Sequence, residues 1–288
     1  MHKLLYSRKN SAQIKGIMTE VGNNMRNGKI HKNRTNFANV RTSIEAQFDN
    51  YSEKFLAHDL ESINQCLPIS GEEKFTVKSL YESGSEHTAR LWSELERING
   101  NTKIMCPICG HDFATELDHY VPREKYCEYS IHLWNLIPLC HYCNSKKDVL
   151  WLNENGKRII FNAYLDSPAD IDYWYVTVQI INNLPHISIA VDPQRVQTPS
   201  DELEISTINE LDLCTFYEDY VNRNLRESIY KIREDRTLFP DVSTKDLWAH
   251  RVNTMNAYLR NPQHLSTESI LEYKALLTAE FEAWILNN

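Results

Sequence analysis

The stretch that decides the fold is Cys106–Asp148, CPICGHDFATELDHYVPREKYCEYSIHLWNLIPLCHYCNSKKD. It contains two cysteine pairs, Cys106 with Cys109 and Cys140 with Cys143, and two residues separate the members of each pair. This spacing lets a tight turn direct both thiolates of a pair at one tetrahedral zinc ion, and two such pairs complete a closed structural site. The 30 residues between the pairs are more than a zinc ribbon needs, so we expect them to carry a further role.

The residues between and after the cysteine pairs predict a strand, a loop, a second strand and a helix. The first strand is expected at 115–120 and the second at 135–139. A helix is expected to begin near Cys140 and to run through Lys146 and Lys147. The two lysines are expected on an exposed face of that helix, where they could contact a nucleic-acid backbone but need no function.

This order of elements and residues resembles the HNH endonucleases, also called ββα-metal or treble-clef nucleases. Their signature is Asp-His at the end of one strand, Asn on the next strand and Asn or His on the helix. The corresponding residues here are Asp118-His119, Asn135 and Asn144. The resemblance covers roughly 43 of the 288 residues, and both cysteine pairs fall in the family order.

The resemblance implies a role for each signature residue. His119 would be the general base that activates water, and Asp118 would be an oxygen ligand for a catalytic Mg²⁺ or Mn²⁺. Asn144 matches the second metal-ligand position, where many members of the family have His. Asn135 would hold His119 in its productive orientation, directly or through the backbone.

These roles predict a metal-dependent endonuclease that hydrolyses phosphodiester bonds in nucleic acid, with DNA as the expected substrate. The alternative is a zinc-stabilised binding module that has kept the fold without cleavage and recognises a protein or a nucleic acid. A binding module has no need for Asp118, His119 and Asn144 together. The residues therefore favour the enzyme.

The layout of the chain is similar to that of HNH proteins in bacterial anti-phage defence, including Septu-like and retron-associated effectors. This likeness implies a partner protein such as a defence ATPase, and it leaves homo-oligomerisation open. Toxin, homing and phage-packaging nucleases share the same core, and no residue outside the quoted stretch identifies a subfamily.

The chain length, the absence of long apolar runs and the remaining cysteines set the frame for this module. At 288 residues the chain is longer than a typical domain, so two or three units are expected. No apolar run approaches the ~18 residues of a membrane span, and the N-terminus lacks an apolar signal region, which predicts a cytoplasmic protein without membrane contact. The cysteines outside the two pairs, Cys66, Cys127 and Cys214, are expected to be ordinary reduced thiols.

The net charge of −8 conceals an uneven distribution along the chain. Residues 1–41 contain nine Lys or Arg and the single acid Glu20, which gives +8, so residues 42–288 carry −16. This segment is expected to be a basic N-terminal arm. It could neutralise phosphates, it could be a solvated terminus, or it could dock a partner protein.

The regions on either side of residues 101–150 complete the predicted α+β, mainly helical fold. Residues 42–100 have helical periodicity, with apolar residues at Ile44, Phe48, Tyr51 and Phe55. Residues 151–191 form a β-rich extension, in which Asn182-Asn183-Leu184-Pro185 separates two strands of a hairpin. Residues 192–288 are helical and contain 17 acids and 10 bases, which suits self-association or docking of another protein better than binding of phosphate.

Overall fold

The computed structural model describes residues 1–29, 32–63, 66–100, 103–168, 172–260 and 267–287. It is rich in helix and contains two small antiparallel sheets of two strands each, so the predicted mainly helical α+β class is confirmed. By packing, the chain divides into two compact units, Met1–Ile108 with Asp112–Ala169 and Cys109–His111 with Asp170–Asn288. None of the helices in the described ranges has the length and apolar composition of a membrane span.

Unit 1 is built around the long second helix. Its elements are α1 Ser11–Asn24, α2 Asn33–Leu56, α3 Gly71–Lys78, α4 Leu80–Ser83, α5 Ser85–Ile98, β1 Glu116–His119, β2 Leu136–Leu139 and α6 His141–Lys147. The predicted apolar stripe of α2 is confirmed, because Ile44, Phe48, Tyr51 and Phe55 are all buried. Within the predicted helical region 42–100, residues 80–98 are divided into α4 and α5 at Gly84.

The basic segment 1–41 contributes to the core of unit 1. Residues 11–24 form α1, and the segment ends inside α2. Ile14, Met18 and Phe37 have no exposed surface, and the extended residues 1–10 are held to the unit by backbone hydrogen bonds. The segment is therefore integral to the fold, and its removal would open the core.

The sheet of unit 1 brings the two predicted strands together. β1 and β2 pair antiparallel, with Glu116 opposite Leu139 and His119 opposite Leu136. The last residue of β2 leads through Cys140 directly into α6. The sequence of strand, loop, strand and helix predicted for this region is therefore what the structure contains.

Residues 158–166 do not form the strand suggested by their apolar and aromatic composition. Polar side chains direct the backbone into turns instead, since Asn162 Oδ1 accepts the N–H groups of Tyr164 and Leu165 at 3.0 and 3.3 Å. Asp166 in turn accepts the N–H of Asn162 at 2.7 Å. Such side-chain hydrogen bonds compete with a strand ladder.

Unit 2 contains the predicted hairpin and five helices among its described residues. These elements are β3 Trp174–Ile181, β4 Leu184–Val191, α7 Pro199–Glu210, α8 Leu213–Leu238, α9 Thr244–Leu259, α10 Thr267–Leu276 and α11 Ala279–Asn287. Asn182 and Asn183 alone make the hairpin turn, with φ of 52° and 59°, so Leu184 and Pro185 belong to β4. Asn residues tolerate this left-handed conformation, which matches the twist of the paired strands.

Candidate active site

Four buried cysteines converge on one point. The sulfur atoms of Cys106, Cys109, Cys140 and Cys143 all lie within 4.8 Å of one another. Across the described residues, no other group of three or more His, Cys, Asp or Glu side chains brings its ligand atoms close enough together to hold a metal ion. Four thiolates in this arrangement are a typical ligand set for structural zinc, and the structure thus supports the predicted zinc site.

Each cysteine pair is presented by a local backbone feature. Around the first pair, Cys106 N donates to Asp112 O at 2.8 Å, and Gly110 takes a φ of 65° in the intervening turn, a conformation that glycine adopts without steric cost. In the second pair, Cys140 is the N-cap of α6, and its sulfur accepts the N–H of Cys143 at 3.5 Å.

Three of the four predicted catalytic residues line a cavity of about 730 Å³ in unit 1. Its walls come from α4 and α5 on one side and from β1, the loop after β1 and α6 on the other. The lining residues are Tyr81, Ser85, Thr88, Ala89, Trp92, Thr115, Glu116, Leu117, Asp118, His119, Pro122, Arg123, Glu124, Asn144, Ser145, Asp148 and Val149. The cavity thus brings together Asp118, His119 and Asn144, whereas Asn135 lies behind it.

His119 is held as a neutral imidazole at this cavity. Its Nε2 lies 2.8 Å from the carbonyl oxygen of Ser130, and only a protonated nitrogen can donate to that oxygen. Burial lowers the pKa of His119 to about 3, so the ring carries no charge near neutral pH. Nδ1 is then the nitrogen with a lone pair. The ring of Tyr81 packs edge-on against the imidazole, with 4.8 Å between the two ring centroids.

Asn135 acts on His119 through the backbone. Its Oδ1 accepts the N–H of Val121 at 2.7 Å, and its Nδ2 donates to Val121 O at 3.0 Å and to Tyr129 O at 3.3 Å. Tyr129 directly precedes Ser130, whose carbonyl oxygen receives the His119 hydrogen bond. The amide therefore holds the loop whose Ser130 carbonyl oxygen faces the imidazole, and no direct hydrogen bond between Asn135 and His119 is among the contacts of the described residues.

Asp118 forms a buried ion pair with Lys147. The Nζ of Lys147 lies 2.8 Å from Asp118 Oδ2 and donates to His119 O at 3.0 Å. The lysine side chain is only 1% exposed, which corrects the expectation that it lies on an exposed helical face. Burial raises the pKa of Asp118, and the charge of Lys147 opposes that rise.

Asn144 contacts a carboxylate that sequence reasoning missed. Its Nδ2 donates to Glu116 Oε2, and Glu116 Oε1 lies 2.9 Å from Nδ1 of the exposed His141. These two contacts lower the pKa of Glu116. Because a carboxylate only accepts hydrogen bonds, the amide nitrogen of Asn144 must face Glu116.

Patterns in the sequence could have identified Glu116, which was missed, and the burial of Lys147, which was expected to be exposed. Glu116 and Asp118 lie two positions apart on β1, and side chains at this spacing point to the same face of a strand. Lys147 follows Cys143 by four positions on α6, so the lysine shares the buried face of the cysteine.

Asp118 and Asn144 are the residues at the cavity that could hold a divalent cation. Asp118 Oδ2 is buried and has no hydrogen bond of good geometry, although Lys147 lies beside it. Asn144 turns its amide nitrogen to Glu116, so its Oδ1 lies on the side of the amide away from that carboxylate. Carboxylate and amide oxygens are the donors that Mg²⁺ and Mn²⁺ prefer, and these residues therefore fit such an ion.

The comparisons with known proteins are limited to part of the chain. It is 27% identical over 134 residues to Protein ea31 of Escherichia phage lambda, and this similarity includes 44% of the chain and 43% of the phage protein. The chain therefore spans less than half of that relative. No protein-family model and no solved structure matches it.

A methyl group at Gly84 should disturb the loop that holds His119. A Cβ there would lie 2.2 Å from Ile131 Cδ1 and 2.9 Å from the backbone oxygen of Leu80, and Ile131 follows the Ser130 that accepts from His119. We expect Gly84→Ala to lower the free energy of unfolding by about 1–3 kcal/mol, measured by urea denaturation. Gly16→Ala is the control, because nothing lies within 4 Å of its Cβ; equal destabilisation by both variants would contradict this packing argument.

Acidification should destabilise unit 1 through two buried histidines. Burial lowers the pKa of both His119 and His132 to about 3, against roughly 6.5 in an unfolded chain. The unfolded state then binds more protons between these values, so stability falls as the pH falls through this window. Between pH ~7 and ~5 the two histidines together should lower the free energy of unfolding by about 4 kcal/mol, because each contributes ~1.4 kcal/mol per pH unit. Denaturant titrations at both pH values would measure this difference.

A His132→Gln variant separates this effect from other titrating groups. It should lose about half of the pH dependence, because one of the two histidines is gone. The raised pKa values of the buried carboxyls Asp118 and Glu128 act in the opposite direction and are the same in both proteins. An unchanged pH dependence would show that His132 does not contribute.

Proposed function

We propose that this protein is a metal-dependent nuclease of the HNH type that hydrolyses phosphodiester bonds in DNA. The observation that carries the proposal is the placement of His119, whose imidazole is oriented by Ser130 O at a cavity that Asp118 and Asn144 also line. A histidine ring whose one nitrogen is fixed by a carbonyl oxygen is held in a single orientation, as general-base catalysis requires.

In the proposed reaction, Nδ1 of His119 takes a proton from a water molecule. The water oxygen forms a bond to phosphorus, the bond from phosphorus to the leaving oxygen breaks, and that oxygen takes a proton from solvent, to which His119 afterwards releases the proton it received. Ser130 O stabilises the imidazolium formed in this step, because Nε2–H continues to donate to it. Asp118 and Asn144 would hold a Mg²⁺ or Mn²⁺ ion, which would neutralise the charge that develops on the phosphate.

The charge of the cavity supports a requirement for a cation. Its lining contains the carboxylates Glu116, Asp118, Glu124 and Asp148 and a single guanidinium, Arg123. His119 is neutral. A phosphodiester that approaches these carboxylates is repelled unless a cation lies between them.

Plasmid cleavage with and without divalent metal tests the proposal. We expect nicked and linear products in the presence of added Mg²⁺ or Mn²⁺ and none without them. Absence of cleavage of duplex DNA, single-stranded DNA and RNA under every metal condition, by protein that contains its zinc, would contradict the proposal.

The alternative, a zinc-stabilised binding module without catalysis, is favoured by one observation. The carboxylate of Asp118 is already paired with Lys147, and this ammonium group neutralises the charge that would attract a metal ion. Titration with Mn²⁺ decides between the two: the nuclease should bind Mn²⁺ at the cavity and lose this binding in Asp118→Asn, whereas a binding module should take up zinc alone.

The biological setting is a further part of the proposal. The likeness in layout supports a cytoplasmic anti-phage defence nuclease that works with a partner such as an ATPase and can form homo-oligomers. Purification from the native host, followed by identification of bound proteins and of the mass of the assembly, tests the partner and the oligomeric state.

A further inference from the structure

The candidate active site has too few cations to hold a nucleic-acid backbone by itself. Four carboxylates and one guanidinium line it, whereas duplex DNA carries one negative charge on every phosphate. If the cavity acts on a polynucleotide, the phosphates on either side of the reacting one must be bound by cations beside the cavity.

The nine cations of residues 1–41 differ in whether they already have a partner within the protein. Four have partners within unit 1: Lys3 donates to Leu165 O, and Lys9, Lys15 and Arg41 form ion pairs with Glu94, Asp49 and Glu45. Arg8 lies with Lys9 and Arg97 in a separate shallow pocket that also contains Glu94. These five are therefore poor candidates for holding the substrate.

The other four cations are close together in the sequence, in the connection between α1 and α2 and in the first turn of α2. Arg26, Lys29 and Lys32 belong to the connection, Arg34 lies in the first turn of α2, and we call these four residues the basic loop. All four side chains are exposed, and none has an ion-pair or hydrogen-bond partner in the described part of unit 1. No acid occurs between residues 21 and 44.

The α1 end of the basic loop is fixed beside the cavity. Val21, in the last turn of α1, packs at Gly84, where an added Cβ would lie 3.4 Å from its Cγ2. Glu20 Oε1 lies 3.6 Å from Nε2 of His87 on α5. Gly84 is followed by Ser85, which lines the cavity, so α1 ends next to the α4–α5 wall.

The α2 end is fixed to the same region through α3. Asn36 Nδ2 donates to the hydroxyl of Thr76 at 3.3 Å, and this hydroxyl donates to Asn33 Oδ1 at 3.4 Å. Two residues later, Lys78 pairs with Glu124, a lining residue of the cavity. Both ends of the basic loop are thus attached to elements that form or contact the cavity wall.

From this placement we propose that the basic loop binds the phosphate backbone of a duplex DNA substrate next to the candidate active site. The inference rests on the proposed nuclease function for its substrate class. In this proposal, binding and hydrolysis take place on two surfaces. The cations of the loop bind the DNA backbone without sequence specificity, and the carboxylate-rich cavity acts on one phosphodiester. It also assigns phosphate binding to four residues of the basic segment 1–41. These four can be substituted without removing core side chains.

The test is the salt dependence of DNA binding by full-length protein. The loop variant carries Arg26→Gln, Lys29→Gln, Lys32→Gln and Arg34→Gln, and binding to a 30-base-pair duplex is followed by fluorescence anisotropy from about 50 to 300 mM KCl. The parent protein and the loop variant both also carry His119→Ala, so that the duplex is not cleaved during the measurement. The slope of log K against log salt should become shallower by about 0.9 for each phosphate that the variant no longer neutralises, or by up to ~3.6 for four phosphates.

The matched control removes four cations elsewhere. Arg226→Gln, Lys231→Gln, Arg236→Gln and Lys245→Gln change exposed side chains of unit 2 and alter the net charge by the same amount. This control should keep a slope close to that of the parent protein. Identical slopes for the parent and the loop variant, or an equal reduction of slope in the control, would overturn the proposal.

Cleavage by the unsubstituted chain distinguishes failure of this inference from failure of the proposed function. Cleavage together with an unchanged slope in the loop variant would reject the basic loop and retain the nuclease; the loop would then be assigned to a partner protein. A shallower slope in a protein that cleaves no nucleic acid would retain the loop as a DNA-binding surface and reject the nuclease. Urea denaturation of the loop variant should match that of the parent, since all four side chains are exposed.

Discussion

His119→Ala is expected to reduce cleavage by about 10²–10⁴-fold, the usual contribution of a general base. Among the residues that the structure describes, His119 is the only histidine that lines the cavity, and alanine in its place cannot accept a proton from water. Initial rates of plasmid nicking at saturating Mg²⁺ measure the loss. Zinc content should stay the same, because His119 is not among the four clustered cysteines.

Two measurements show whether that loss is catalytic. Ser130 O loses its buried donor in His119→Ala, so the free energy of unfolding should fall by about 1–3 kcal/mol while the protein remains folded. His186→Ala, on the exposed face of β4, should cleave at the parental rate. Cleavage at the parental rate by folded His119→Ala would remove the proposed mechanism.

Replacement of one zinc ligand should have the largest effect on stability. Cys106→Ser or Cys140→Ser leaves three thiolates at the cluster, and structural zinc binding supplies folding free energy of about 10 kcal/mol or more in small zinc-dependent units. We expect the residues around the cluster to unfold and activity to disappear as a consequence. Elemental analysis should find one zinc ion per parental chain and none in either variant.

The exposed thiol of Cys66 provides the control for this experiment. Cys66→Ser should keep one zinc ion and parental stability, because the residue lies outside the cluster. A parental protein that is free of zinc yet stable and active would show that the cysteines serve another purpose.

The local parts of the fold could be predicted from the sequence because their signals are local. The cysteine spacing and the strand residues between 115 and 139 predicted the order of β1, β2 and α6. The apolar stripe of α2 and the Asn182-Asn183 turn could also be predicted, since each depends on residues close together in the chain.

The contacts that define the candidate site depend on distant residues and could not be read in the same way. The partner of Lys147, Asp118, is 29 positions away and meets it only because α6 packs on β1. Ser130 carries no signal of its own, because its carbonyl oxygen, a group present in every residue, accepts from His119. Composition also concealed that segment 1–41 supplies Ile14, Met18 and Phe37 to the core.

The burial of Lys147 has a consequence for how local opening of this region can be observed. An amine that is 1% exposed and paired with Asp118 cannot react with a water-soluble acylating reagent until α6 separates from β1. The exposed lysines of the same molecule should be modified at once. The rate at which mass spectrometry detects acylation of Lys147 would therefore report the frequency with which this helix opens in the native protein, and an increase in that rate on zinc removal would measure how strongly the ion holds the helix in place.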